Sequence, residues 1–318
     1  MEMSTARQLE VLLEATYSSL VNISLNMHGA RAVQKLIDVV RMVPVCMGRL
    51  VAGLEYAVVT LAKDPNGNHV VQRCLESLPS DAHGFIFRAV AKDIEDVASH
   101  RHGCRIVQRC IDAAKGPERK MMIGAICQAS LALIQDPFGN YVVQYVLGLQ
   151  DPQASSLIVT AMMGRLNVLS RQKFSSNVVE RCLQLASDED RARMITELAD
   201  PRGLGELLRD IYGNYVVQSA LNIAVEPQIS IVLGLHRAYL VITWSSDPVL
   251  SMQLSKTCVD NRRDLSWSCS FCGTMCIPKP KTQNDPICNP QPPFPASAAV
   301  RPLLPSLRSS GQGRPGKD

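Results

Sequence analysis

The segment Phe138-Gly-Asn-Tyr-Val-Val-Gln144 decides the fold, because five further copies of its pattern occur along the chain. The other copies are His28-Gly-Ala-Arg-Ala-Val-Gln34, Asn66-Gly-Asn-His-Val-Val-Gln72, His102-Gly-Cys-Arg-Ile-Val-Gln108, Phe174-Ser-Ser-Asn-Val-Val-Glu180 and Tyr212-Gly-Asn-Tyr-Val-Val-Gln218. The third residue of each copy lies at position 30, 68, 104, 140, 176 or 214, so successive copies are 36 or 38 residues apart. This period, with apolar residues at helical spacing between copies, predicts an all-α solenoid.

Turn residues precede the copies and predict where each helix begins. Asp64-Pro65-Asn66-Gly67 and Asp136-Pro137-Phe138-Gly139 break one helix before the next one starts. In the second copy, Val70, Val71, Cys74 and Leu75 form one apolar stripe, which predicts a face turned to the core. Asn68 and Gln72 are predicted to lie on the opposite face.

The cysteines are predicted to be reduced thiols with packing roles. Cys74, Cys110 and Cys182 each lie six residues after the third residue of their copy, a position that Leu36, Val146 and Ala220 fill elsewhere. No secretory segment follows Met1 to imply an oxidising compartment. The segment Cys269-x-x-Cys272-x-x-x-Cys276, near Cys258 and Cys288, invites a zinc interpretation, but its flanks hold little apolar sequence, so we expect no metal site.

Bulk charge does not indicate a nucleic-acid partner. The net charge is +4, but residues 1–222 hold 23 basic and 23 acidic residues, which leaves the whole excess on the remaining tail. The longest apolar stretch, residues 229–244, is interrupted by His236 and Arg237 and is too short for a membrane span. Any case for a nucleic-acid partner therefore depends on particular residues at particular spacings.

The six copies resemble the RNA-recognising helices of the Pumilio (PUF) family, and the resemblance covers roughly residues 15–222. It implies a right-handed superhelical solenoid in which each repeat contacts one base through two edge-contacting residues and one stacking residue. The implied edge pairs are Ala30 with Gln34, Asn68 with Gln72, Cys104 with Gln108, Asn140 with Gln144, Ser176 with Glu180, and Asn214 with Gln218. The implied stacking residues are Arg31, His69, Arg105, Tyr141, Asn177 and Tyr215.

The chemistry of these pairs agrees with the resemblance. Each pair is spaced i,i+4, so both side chains project from one helix face. A carboxylate only accepts hydrogen bonds, so Glu180 suits the two donors of guanine, whereas paired amides suit uracil and a single Gln beside Cys104 suits adenine. In the family the strand runs antiparallel to the protein, which predicts U-G-U-A-U from Asn214 back to Asn68, with adenine expected opposite Ala30.

By the same resemblance, we expect a cytoplasmic, monomeric regulator of translation and mRNA stability that acts with mRNA decay or translation-repressor proteins. No catalytic site is expected, since the chain has no G-x-S-x-G, phosphate-loop or H-E-x-x-H motif. No cofactor is expected, and the interrupted apolar stretch predicts no membrane association. Two alternatives stay open: a protein-binding helical scaffold, and a truncated isoform that binds RNA poorly.

The chain is predicted to divide into two regions. Residues 1–225 form the repeat domain, and residues 226–318 are expected to be a disordered tail unrelated to the family. The family leads one to expect two more repeats before the first copy and a capping repeat after the last copy, so apolar surface is expected at both ends of the solenoid.

Overall fold

The computed structural model describes residues 6–224, and all regular elements in this range are helices. The α-helices are Ala6–Thr16 (α1), Leu20–Leu25 (α2), Met27–Val40 (α3), Pro44–Leu54 (α4), Val58–Lys63 (α5), Gly67–Ser77 (α6), Gly84–Lys92 (α7), Ile94–Ala98 (α8), Gly103–Ala113 (α9), Gly116–Leu133 (α10), Gly139–Gly148 (α11), Pro152–Met162 (α12), Leu166–Ser170 (α13), Ser175–Leu185 (α14), Asp188–Leu198 (α15), Pro201–Arg209 (α16) and Gly213–Ile223 (α17). Three short 3₁₀ helices occupy Tyr17–Ser19, Glu55–Ala57 and Ser80–Ala82.

Six of these helices carry the repeated segments and stack in chain order. We call α3, α6, α9, α11, α14 and α17 the ladder helices. Each one contacts the next along the chain, and a short helix precedes every ladder helix except α11, as α5 precedes α6 and α16 precedes α17. A second layer is built by α4, α7, α10, α12 and α15, each of which follows a ladder helix. The predicted all-α solenoid is confirmed.

The core lies between the two layers and uses the same positions in every repeat. Val70, Val71 and Cys74 are buried as predicted, whereas Leu75 is only half-buried. The position of Cys74 is buried in all six repeats, which confirms that Cys110 and Cys182 pack in the core. Burial raises the pKa of the Cys74 thiol to about 12, so this thiol stays protonated and unreactive at neutral pH.

Two features of the layers differ from a simple repeat pattern. The 18-residue α10 joins the last helix of one repeat to the first helix of the next, whereas the corresponding helices α7 and α8 are interrupted at Asp93. Residues Pro44–Lys63 are long and apolar enough to cross a membrane, with a mean hydropathy of 1.5. A 3₁₀ turn at Glu55–Ala57 divides this stretch, and its buried side chains, such as Leu50 and Leu61, pack against neighbouring helices of the solenoid.

The predictions for the tail lie outside the described residues. They concern residues 226–318, including the five cysteines from Cys258 to Cys288. Among residues 6–224, no group of His, Cys, Asp or Glu side chains is arranged to hold a metal ion.

Candidate nucleic-acid interface

Five of the six ladder helices begin at a turn in which a side chain accepts hydrogen bonds from backbone N–H groups. Asp64, Asp136 and Asp210 each place Oδ1 2.7–2.8 Å from two backbone nitrogens at the start of the following helix. Asn26 does the same at 3.0–3.1 Å, and His100 Nδ1 accepts one such bond at 3.3 Å. These bonds satisfy N–H groups that have no partner inside the helix. The side chains that follow the turn are therefore held in defined positions.

A glycine follows this turn in five repeats, because the ladder helix passes very close to the helix before it. A Cβ atom on Gly139 would lie 2.9 Å from the carbonyl oxygen of Leu133. The fifth repeat has Ser175 at this position, and its hydroxyl donates to the carbonyl oxygen of Leu169 at 2.6 Å. The carbonyl oxygen that would clash with a Cβ atom in the other repeats therefore accepts a hydrogen bond from Ser175 in this repeat.

The first residue of each predicted edge pair is turned toward its own backbone. Asn68 and Asn140 donate from Nδ2 to the carbonyl oxygen three residues earlier, at 2.9 and 3.0 Å, and to the one four residues earlier, at 2.8 Å. Cys104 and Ser176 donate to the carbonyl three residues earlier, at 3.6 and 3.4 Å. All four side chains are at most 5% exposed.

The prediction that Asn68 lies opposite the core was therefore wrong. Its amide lies at the edge of the core because carbonyl groups at the helix start accept its hydrogens. Ala30, the first member in the first repeat, is also buried but has no side-chain donor, and Asn214 is half-buried with its Nδ2 2.6 Å from the carbonyl oxygen of Asp210.

The second residue of each pair lies one turn later and is half-buried. Gln72, Gln144 and Gln218 each donate from Nε2 to the Oδ1 atom of the paired Asn, at 2.8, 3.0 and 3.3 Å. The amide orientation follows from the chemistry: Asn Nδ2 faces carbonyl oxygens, which only accept, so Oδ1 faces the Gln and must meet its nitrogen. Gln34 instead donates to the carbonyl oxygen of Ala30, at 3.1 Å. Gln108 is half-buried on α9 beside Cys104.

The fifth repeat carries a different pair. Ser176 is fully buried, and Glu180 is half-buried one turn later, where the other repeats have Gln. The hydroxyl of Ser219, on the next ladder helix, donates to Glu180 Oε2 at 3.3 Å. The carboxylate is therefore held by a contact that crosses from one repeat to the next.

The predicted stacking residues directly follow the first edge residue on each ladder helix and are at least partly exposed to solvent. Arg31, His69, Arg105 and Asn177 are exposed, and Tyr141 and Tyr215 are half-buried. The flat faces of Arg, His and Tyr can stack on a base from this position. The structure thus brings edge and stacking positions together on each ladder helix, while their contacts with bases stay predictions.

Sequence reasoning missed a row of residues directly after the second edge residue: Lys35, Arg73, Arg109, Tyr145, Arg181 and Ser219. Arg73 forms an ion pair with Asp38 on the preceding ladder helix, with 2.7 Å between the nitrogen and the oxygen, and Tyr145 donates to Asp112 on the helix before it. The Arg73 guanidinium lowers the pKa of the Asp38 carboxyl. We call this row the junction row. It could have been found from the sequence, because the position is Lys or Arg in four of the six repeats.

The chain matches a known repeat family over more than half of its length. The Pumilio-family RNA binding repeat matches residues 19–42, 57–91, 93–127, 131–161, 167–199 and 205–234. A Pumilio domain-containing protein of Schizosaccharomyces pombe is 42% identical over 221 residues, which are 70% of this chain and 32% of the relative. Pumilio homolog 12 of Arabidopsis thaliana is 43% identical over 202 residues, which are 64% of this chain and 34% of that protein. The chain thus spans about a third of the length of the curated relatives that it matches.

Solved structures of the same type resemble the chain closely. The Puf4 RNA binding domain, bound to an HO endonuclease RNA 3′ UTR recognition sequence, is 35% identical with a TM-score of 0.67, over 79% of this chain and 80% of that one. The RNA-binding domain of yeast Puf5p, bound to SMX2 RNA, is 26% identical with a TM-score of 0.67, over 81% of this chain and 80% of that one. Six matched repeats in phase with the six ladder helices show that the chain belongs to the Pumilio family.

Proposed function

We propose that this chain binds single-stranded RNA sequence-specifically along the ladder helices, with one base for each repeat. The support is the phase of the six edge pairs, which recur on consecutive helices at the same helix position. Solved relatives are described as bound to RNA 3′ UTR recognition sequences. The expected target is a U-G-U-A core in the 3′ untranslated region of a messenger RNA.

The observation that carries the proposal is the one chemically different pair, Ser176 with Glu180. Five pairs end in Gln, whose amide both donates and accepts, but Glu180 only accepts. Guanine presents two adjacent donors, N1–H and N2–H₂, on its Watson–Crick edge. A carboxylate opposite uracil or adenine would face acceptor atoms, which costs roughly 1–3 kcal/mol or more. The fifth repeat is therefore the one expected to bind guanine.

The amide pairs suit uracil because the structure fixes their orientation. In Asn140 and Gln144, the bonds within the pair leave Gln Oε1 and one Nε2 hydrogen outside this chain of hydrogen bonds. An acceptor beside a donor matches the N3–H group and a neighbouring carbonyl of uracil. At Cys104 and Gln108 the first position is small and fully buried, so the amide of Gln108 alone can meet the one donor and one acceptor of adenine.

The stacking residues add affinity that depends little on sequence. Each base would lie between neighbouring side chains such as His69, Arg105 and Tyr141, and such contacts contribute roughly 1–3 kcal/mol per base. The charge balance of residues 1–222 means that stacking and edge contacts, more than phosphate attraction, supply the affinity.

The cellular role is proposed at the level of the family. We infer control of translation and mRNA stability in the cytoplasm by a monomeric protein, which recruits decay or translation-repressor proteins while it holds the message. No enzymatic step is assigned to the chain.

A titration with two RNAs tests the binding proposal. Labelled U-G-U-A-U-A and the matched U-C-U-A-U-A are added to the purified full chain, and the affinities are compared. Preference for the guanine-containing RNA by tenfold or more is the expected result. Equal binding of both RNAs would contradict sequence-specific recognition, and binding of neither would favour the scaffold or the impaired-fragment alternative.

A further inference from the structure

Long side chains of the junction row reach past the edge pair of the preceding repeat. Arg73 Nη2 lies 2.7 Å from Asp38 Oδ2, and the Tyr145 hydroxyl donates to Asp112. Asp38 and Asp112 each lie one further helical turn along from the second edge residue of their own repeats, Gln34 and Gln108. In these two junctions the junction-row residue therefore engages a separate acid and not the base-facing amide.

The junction between the fifth and sixth repeats is built differently. The position that holds Asp38 in the first repeat is occupied here by Gln184, and the junction-row residue is the short Ser219. The Ser219 hydroxyl instead donates to Glu180 Oε2, at 3.3 Å. Both residues are half-buried, so this bond is partly shielded from water. This bond joins a junction-row residue to a second edge residue, and it occurs at the one carboxylate among the six second edge residues.

We propose that Ser219 is a positioning residue for Glu180, and that its short neutral side chain sets the guanine preference of the fifth repeat. This inference rests on the proposed function. A hydroxyl fixes the carboxylate rotamer while it leaves the negative charge available to the two guanine donors. A Lys or Arg at position 219 would have no acid at position 184, so it would pair with Glu180 and compete with the base for its oxygens.

Three variants of Ser219 separate these effects. Ser219→Thr keeps the hydroxyl, Ser219→Ala removes it, and Ser219→Arg restores the side chain found at most other junctions. Affinity is measured for U-G-U-A-U-A, for U-U-U-A-U-A and for U-G-U-A-A-A, whose fifth base faces Asn68 and Gln72. The ratio of the first two affinities reports on guanine selectivity, and the third RNA gives an internal control at a distant repeat.

We expect Ser219→Ala to lower the guanine-to-uracil ratio about three- to tenfold, as loss of one hydrogen bond would. Ser219→Thr should keep the parent ratio, and Ser219→Arg should lower it by more than tenfold, with partial recovery at high salt because the ion pair is screened. The ratio at the fifth base should be unchanged in all three variants. Thermal unfolding is followed in parallel, since a purely structural role would lower stability and weaken all RNAs equally.

The outcomes distinguish this inference from the function on which it rests. If the parent protein shows no guanine preference, the proposed function has failed and the positioning role fails with it. If the parent prefers guanine and Ser219→Ala and Ser219→Arg both keep its ratio, only the positioning role is overturned. A uniform loss across all three RNAs would also overturn it.

Discussion

The hydroxyl of Ser175 lies 2.6 Å from the carbonyl oxygen of Leu169, where the other five repeats have a glycine because the same backbone approach leaves no room for a side chain. Ser175 is fully buried, and its hydroxyl oxygen also lies 3.0 Å from the side-chain amide oxygen of Gln172. The start of each ladder helix therefore leaves little room for a side chain. The fifth repeat, which carries Glu180, accommodates Ser175 there by forming a hydrogen bond with the crowding carbonyl group.

Replacing one of these glycines should destabilise the fold. A Cβ atom on Gly103 would lie 2.1 Å from the carbonyl oxygen of Val97, so Gly103→Ala must displace backbone, at an expected cost of about 1–3 kcal/mol in the free energy of unfolding. Gly124→Ala is the matched control, because a Cβ there meets nothing within 4 Å and should stabilise α10 by up to about 1 kcal/mol. Urea unfolding of both variants checks this, and equal stability of Gly103→Ala and the parent would contradict the packing argument.

The buried amide of Asn140 should not tolerate a carboxylate. Its Nδ2 donates to the carbonyl oxygens of Asp136 and Pro137, at 2.8 and 3.0 Å, and the side chain is 1% exposed. Asn140→Asp would place oxygen against oxygen, so we expect a loss of about 3 kcal/mol or more in the free energy of unfolding at pH 7. Asn140→Ser keeps one donor, as Ser176 does in the fifth repeat, and should cost clearly less. The idea fails if the two variants unfold at the same denaturant concentration.

The third repeat should lose stability in mild acid. Burial, followed by repulsion from Lys63, lowers the pKa of His100 below its ordinary value of 6.5. The folded state therefore binds fewer protons than the unfolded state, and the stabilisation is present above about pH 6.5 and is lost as the pH falls through the lowered pKa. Protonation also removes the Nδ1 acceptor that holds the start of α9.

His100→Asp provides the test of this pH dependence. Aspartate holds the same turn in three other repeats, so the variant should be more stable by about 0.5–1 kcal/mol at pH 7 and lose less stability between pH 7.5 and 5.5. The nearby His102, whose pKa is also lowered by burial, leaves a residual dependence. An unchanged pH profile in His100→Asp would show that His100 is not the titrating group.

Exchange of the fifth pair should switch the second base. Ser176→Asn with Glu180→Gln installs the pair found at Asn140 and Gln144, and the new Asn can donate to the carbonyl oxygen of Lys173 as Ser176 already does. The preferred second base should change from guanine to uracil, while the other five bases are recognised as before. Competition between U-G-U-A-U-A and U-U-U-A-U-A measures the change. Retention of the parent's guanine preference would show that this pair does not contact the base.

Salt should weaken RNA binding only modestly. Residues 1–222 hold equal numbers of acidic and basic residues, and Arg73 of the junction row is already paired with Asp38. Neutralising six phosphates would give a slope of about −4 for log affinity against log salt, since each contributes about −0.7 for a single strand. We expect a shallower slope when the affinity is measured between about 50 and 200 mM salt. A slope of −4 or steeper would contradict this prediction, because it would show that phosphate contacts supply much of the affinity.

The repeat period and the turn residues were enough to predict the solenoid and the starts of α6 and α11. The segment from Asp136 to Gly139 does break the chain, and α11 begins at Gly139 as the sequence indicated. The merging of two helices into α10 was not predictable from the period, because the period is the same in repeats where the corresponding helices, such as α7 and α8, are separate.

The edge pairs were predictable as pairs, since i,i+4 spacing fixes which side chains share a helix face. Their surroundings were not. Spacing along one helix does not show that Asn140 folds back on the carbonyl of Pro137, nor that Ser219 reaches Glu180 across 39 residues of sequence. Both contacts depend on how closely neighbouring helices and turns approach one another.

The contact between Ser219 and Glu180 limits how freely repeats can be exchanged in engineered binders. A guanine module made by copying Ser176 and Glu180 into the fourth repeat would place the new carboxylate next to Arg181 of the fifth repeat, where Gly148 occupies the position of the separate acid. The transplanted acid would be neutralised by its neighbour before any base arrived. The transferable unit is therefore three residues that span a repeat boundary: Ser176, Glu180 and Ser219. Transfer of the edge pair alone should give a stable protein with a weaker preference for guanine.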